Sequence, residues 1–123
     1  MIVENDVPLR AVLFDAGNTL LFLDHPRIAA AVGAALRLPL AGAALAAGAA
    51  VAARAMEGPR VDDRARATAY LDALFAEAGV PADRLPEVRD CLTALHGERH
   101  LWSGTAGGTH DALARLRAAG LRL

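Results

Sequence analysis

The sequence predicts a mixed α/β fold: a short apolar strand near the start, a run of helices after it, and a last helix that leads back toward an extended segment. Three observations carry this. Residues 9–14 form an apolar run rich in Val, Leu and Phe that ends on Asp15-Ala16-Gly17-Asn18, the pattern of a buried strand stopped by turn formers. From Asp24 onward the apolar residues recur at helical spacing instead, and four such patterns follow one another as far as Gly97. The chain then closes on a helical pattern followed by Gly120-Leu121-Arg122-Leu123, and helix, glycine, apolar residue is how a βα-type unit enters its next strand.

Taken in order, a second apolar run, residues 19–23, follows the first turn at once. Asp24 stands where a helix cap is needed, Pro26 is tolerated in the first turn, and Ile28, Val32 and Leu36 repeat every four residues. Pro39 breaks this helix, and a second, alanine-rich one is expected over residues 40–56 before Gly58-Pro59 stops it. Asp62 or Asp63 begins a third. Tyr70, Leu71, Leu74, Phe75 and Ala78 share one face of it, and Gly79 sits where a left-handed residue ends a helix. A fourth is expected to be capped by Asp83, to carry Pro86 in its first turn, to present Leu85, Val88, Leu92 and Leu95 on one stripe, and to end at Gly97. Residues 98–108 read as loop. Thr109 or a neighbour caps the fifth helix, with Ala112, Leu113, Leu116 and Ala119 facing inward and Gly120 closing it. Three residues after Gly120 are too few for a useful strand, so the chain is expected to be a truncated piece of a longer protein.

Composition limits the functional classes. A chain of 123 residues that is 54% hydrophobic and 22% charged suits one folded domain rather than a disordered segment. The formal net charge of −1 supplies no basic footprint for nucleic acid or an anionic membrane, and neither partner is expected. Residues 38–53 carry no charge, but the run is mostly Ala and Gly and falls short of the roughly 20 strongly apolar residues of a membrane span. The acidic N-terminus lacks a secretory pattern, so a cytoplasmic location is expected. Cys91 is the single cysteine, among apolar neighbours, and reads as a buried structural thiol. All thirteen basic residues are arginine.

The stretch Ala11-Val12-Leu13-Phe14-Asp15-Ala16-Gly17-Asn18-Thr19-Leu20 resembles the first motif of the haloacid dehalogenase (HAD) superfamily of hydrolases, an apolar strand followed by Asp-x-Asp-x-Thr. A carboxylate at the C-terminal end of a parallel strand lies where α/β sheets bind ligands, and it can attack phosphorus or carbon to give a covalent aspartyl intermediate. The resemblance extends along the chain. The helices that begin just after the motif look like the helical cap inserted there in many family members, and the last helix looks like the core helix before the second-motif strand. It implies an incomplete HAD-like Rossmannoid core made of residues 1–22 and 101–123, with a mostly helical cap over residues 23–100.

The resemblance also implies a chemistry: Asp15 as nucleophile, Mg²⁺ held by the Asp15 carboxylate and the Gly17 carbonyl, and a small phosphorylated metabolite as substrate. The amides of Ala16, Gly17 and Asn18 would point at the phosphoryl anion. One position departs from the phosphatase pattern. The second Asp, the usual proton donor and acceptor, is Gly17 here, as it is non-acidic in members that act on haloacids or phosphonates. The later motifs of the family bring a Ser or Thr, a Lys and acidic metal ligands; no lysine occurs in this chain, so no turnover is expected from it alone.

Other readings remain open on the sequence. Residues 12–23 also fit a plain β-hairpin around a four-residue turn, and the helices also fit a non-catalytic binding or interaction module. His25 follows the motif and is a candidate to face substrate. Arg60, Arg64 and Arg66 cluster at one helix start, either to grip a carboxylate or phosphate as a fork or simply to pair with Asp62 and Asp63 in solvent. His96 and His100 have the spacing of two zinc ligands, but with Gly97 between them and no third ligand they read as exposed helix-end histidines.

Overall fold

The structure is a computed structural model that describes residues 7–57 and 62–123. Those residues form five α-helices and one two-stranded sheet, so the chain is mixed α/β and mostly helical. It divides into two compact units, one of Met1–Leu23 with Trp102–Leu123, the other of Asp24–Leu101.

The helical unit holds α1 (His25–Leu36), α2 (Gly42–Arg54), α3 (Asp63–Glu77) and α4 (Leu85–Glu98). Asp24 caps α1 as its side chain accepts the Arg27 amide, and Asp62 caps α3 by accepting that of Ala65. Gly79, at φ 91°, lets the Val80 amide reach the Phe75 carbonyl and its own amide reach that of Ala76, a paired closure that satisfies the last carbonyls of α3. The apolar faces then meet. Ile28, Val32, Leu45, Leu74, Phe75 and Val88 are the large side chains with no exposure to speak of. α2 runs close to α3 because Gly48 has no side chain: a Cβ there would stand 3.1 Å from the Glu77 Cβ.

The two ends of this unit are tied together by polar groups. Arg27 donates from Nη2 to the Leu95 carbonyl at 2.7 Å, which also accepts the Arg99 amide, and from Nη1 to the Arg99 carbonyl at 3.0 Å, and so anchors the end of α4. Arg99 returns from Nη2 to Asp24 at 3.2 Å, and the Asp24 amide donates to the Leu101 carbonyl. Charge-assisted bonds of this kind contribute about 1.5–3 kcal/mol each when they are shielded from water.

Two expectations fail here. Asp83 does not cap the fourth helix; it lies within a 3-10 turn over Ala82–Arg84, and α4 starts after Arg84 with no side-chain cap. Gly97 does not end α4, which continues to Glu98, because tertiary anchoring by Arg27 outweighs the roughly 1 kcal/mol that glycine costs a helix. No helix among the described residues is long and apolar enough to cross a membrane; within the uncharged run, Leu45, Gly48 and Ala52 are buried at helical spacing.

In the other unit, β1 (Phe22–Leu23) pairs antiparallel with β2 (Trp102–Gly104), Phe22 opposite Gly104 and Leu23 opposite Trp102. The expected loop over residues 98–108 therefore contains a strand, formed by a partner far away in sequence. α5 (Thr109–Ala118) has Gly108, the neighbour of Thr109, at its cap position, left-handed at φ 82° and with no side-chain cap bond. Gly120 closes α5 with the same paired geometry as Gly79 closes α3. Leu113 and Leu116 are half-buried, whereas Ala112 and Ala119 are exposed, against the expected inward face.

The first apolar run is also corrected. Residues 9–14 are not buried: Leu13 is 95% exposed and Leu9 70%. One parallel bridge, Ala11 to Arg122, is their strand pairing, with the Val12 amide donating to the Arg122 carbonyl at 2.9 Å and the Arg122 amide to the Arg10 carbonyl at 3.0 Å. A strand is buried when layers cover its faces, and no described layer covers Leu13.

Candidate active site

The backbone turns sharply straight after residue 14. The Ala16 carbonyl accepts the amides of Leu20 at 3.0 Å and Leu21 at 2.8 Å, and that of Thr19 at 3.4 Å, while the Asn18 amide donates to the Leu21 carbonyl at 2.8 Å. This one-turn loop makes a local bridge between Gly17 and Leu21, and residues 9–14 and 19–23 are not zipped to each other. The plain hairpin is thereby set aside. The left-handed residue of the turn is Asn18 at φ 59°, a conformation asparagine tolerates; Gly17 does not have a positive φ, and a Cβ there would meet nothing within 4 Å.

Asp15 stands at the head of this turn with its side chain exposed. Its Oδ2 accepts the Thr19 hydroxyl at 3.2 Å, a contact that follows from the four-residue spacing in the turn, and Oδ1 accepts no hydrogen bond among the described residues. Thr19 belongs to the quoted motif but had been given no role; it orients the carboxylate. The Ala16 and Gly17 amides donate to no acceptor among the described residues, so they remain open to an anion, whereas the Asn18 amide is already engaged. The Gly17 carbonyl is likewise open. Two open oxygens, one carboxylate and one carbonyl, have the right chemistry for Mg²⁺, which favours hard oxygen ligands, keeps several waters, and is commonly held by one or two carboxylates plus phosphate oxygens. Among the described residues no group of three or more His, Cys, Asp or Glu is arranged to hold a metal ion.

The other candidates lie in the helical unit. Arg60 lies outside the described residues. Arg64 is exposed at the start of α3, and Arg66 is half-buried with its Nε unpartnered; no side-chain hydrogen bond or ion pair among the described residues joins either guanidinium to the other, to His25, or to Asp62 and Asp63, and Arg66 meets Asp62 only through the helical backbone bond from its amide to the Asp62 carbonyl at 3.0 Å. His96 and His100 sit with ring centres 4.5 Å apart, edge to face, and His96 Nδ1 accepts the Leu101 amide at 3.4 Å. Burial, and secondarily Glu98, pushes the Cys91 thiol up, which keeps it protonated and unreactive.

Searches against protein-family models, curated proteins and solved structures found no match.

His25, at the start of α1, is half-buried with Nε2 shielded from water and unpartnered. Burial lowers its pKa below the usual value of 6.5, and the neighbouring Asp24 carboxylate opposes that shift more weakly. A histidine with a depressed folded pKa binds fewer protons than the unfolded chain in the window between the two values, so stability falls as pH drops through that window and levels off below it. Chemical denaturation of the wild type is thus expected to show a loss of stability as the pH falls through and below 6.5 that His25→Gln reduces. An identical pH profile in the variant would assign the loss to another group.

Proposed function

We propose that this chain carries the nucleophile of a HAD-like hydrolase, with Asp15 attacking a small phosphorylated metabolite and Mg²⁺ as the cofactor. The observation that supports this most is the parallel pairing of residue 11 with residue 122, four residues before an exposed carboxylate. In α/β folds, ligands bind beyond the carboxyl ends of parallel strands, and Asp15 follows such an end. On this reading the helical unit, with the sequence-expected bounds of residues 23–100, is the cap, residues 1–22 and 101–123 are part of the core, and the protein works in the cytoplasm.

The chemistry is simple in outline. An Asp15 carboxylate oxygen forms a bond to phosphorus as the ester P–O bond breaks; the leaving oxygen takes a proton from water; a second water then attacks phosphorus and releases orthophosphate and the free carboxylate. Thr19 holds one carboxylate oxygen, and the Ala16 and Gly17 amides face the charge that builds on the phosphoryl oxygens. When bound by Asp15 and the Gly17 carbonyl, Mg²⁺ would neutralise phosphate charge. Gly17 has no proton to give, and a general acid contributes about 10²- to 10⁴-fold. Substrates whose leaving group needs no proton are therefore favoured, which keeps a dehalogenase- or phosphonatase-like reaction as the second reading.

Mn²⁺ serves as a paramagnetic probe of the metal site. Its broadening of amide signals is expected to centre on residues 14–20, to be displaced by excess Mg²⁺, and to vanish in Asp15→Asn. Broadening centred on His96 and His100, or unchanged in the variant, contradicts the assignment.

A further inference from the structure

We infer that the groove between α3 and α4 binds a small organic oxyanion bearing hydroxyl groups, with Arg64 and His96 donating to its charged end. The groove encloses about 300 Å³ within the helical unit. Its floor is apolar, formed by the buried Leu92 and Leu101 and the half-buried Leu71. Its rim is polar, and the hydrogen-bonding capacity of each rim group is set by contacts already made.

Arg89 forks onto Asp72 from opposite walls, Nε to Oδ1 and Nη2 to Oδ2, so these two charges compensate each other. The Arg64 side chain, on the α3 wall, has no hydrogen bond or ion pair among the described residues, and it leaves the rim with one uncompensated positive charge. The His96 ring nitrogen Nδ1 accepts the Leu101 amide, so in the neutral ring the proton resides on Nε2, which is a donor. The hydroxyls of Thr68 and Thr93 each donate to the carbonyl four residues earlier, those of Arg64 at 3.0 Å and Arg89 at 2.9 Å, and they offer their lone pairs to a ligand.

The rim thus presents two donors, one of them charged, and two hydroxyl acceptors above an apolar floor. A bare oxyanion satisfies only the donors. A neutral polyol satisfies only the acceptors. A hydroxylated carboxylate or phosphate monoester satisfies both while its carbon skeleton covers the leucines. This site goes beyond the reaction proposed for Asp15 and does not depend on it.

The test is an amide-shift titration of the whole ¹⁵N-labelled chain with glycerol 3-phosphate, inorganic phosphate and glycerol. Glycerol 3-phosphate is expected to give saturable shifts at Thr68, Thr93 and Leu101, with weaker binding of inorganic phosphate and none of glycerol. Arg64→Ala, at an exposed position that the fold does not need, should weaken binding by about tenfold. Asp72→Asn frees Arg89 and should tighten it, and Arg117→Ala, on α5, should leave it unchanged. Equal weakening by Arg64→Ala and Arg117→Ala, inorganic phosphate binding as well as glycerol 3-phosphate, or no saturable shifts in the groove would each overturn the site.

Discussion

Replacing Phe75 by alanine is expected to destabilise the helical unit by about 3–5 kcal/mol, the cost of deleting a fully enclosed aromatic ring whose site cannot collapse. Phe75 and its neighbour Leu74 are both 0% exposed, on the helix that packs against α2. Collapse is blocked because α2 and α3 are already in contact: a Cβ at Gly48 would lie 3.4 Å from the Leu74 carbonyl oxygen as well as 3.1 Å from the Glu77 Cβ. Leu45, also 0% exposed, fills α2's share of the core and has no room to move in. Small domains are stable by about 5–15 kcal/mol, so this one change removes a large share of the total. Urea unfolding followed by helical circular dichroism measures it. A loss below about 1 kcal/mol would mean that the ring is not packed as described.

Much of the helical architecture is legible in the sequence because its signals are local. Asp24 and Asp62 stand one residue before their helices and do cap them. Gly79 and Gly120 are left-handed where the apolar periodicity stops. The faces read from spacing, Ile28, Val32 and Leu36 or Tyr70, Leu74 and Phe75, are the buried ones.

What the sequence does not reveal is set by distant partners. Nothing near Phe22 marks it as the partner of Gly104, and nothing near Gly97 foretells that Arg27 will anchor the end of α4. Residues 9–14 have the composition of a buried strand, yet burial depends on covering layers, and composition alone cannot supply them. Leu121-Arg122-Leu123 is too short for a useful strand, and it pairs through a single residue, whose partner Ala11 no local signal marks.

The site divides in the same way. The position of Asp15 at a turn follows from Ala-Gly-Asn after an apolar run, but the φ of Asn18 and the engagement of its amide emerge only from the turn's own hydrogen bonds. The groove rim could not be read at all, because Asp72 and Arg89 meet across two helices and the His96 tautomer is decided by the Leu101 backbone.

The largest functional effect is expected at Asp15, and acetyl phosphate exposes it most directly. Its leaving group is acetate, which departs without a proton, so attack by the carboxylate does not require the acid that Gly17 lacks. The Asp15–phosphorus bond forms as the acetyl–phosphate bond breaks, and acetate is released. With Mg²⁺ present, intact-protein mass spectrometry of the chain should record the addition of one phosphoryl group, fragmentation should place it on Asp15, and hydroxylamine should remove it. Asp15→Asn should abolish the addition altogether. A chain that stays unmodified, or that is modified equally well in the variant, would contradict the claim that Asp15 is a nucleophile.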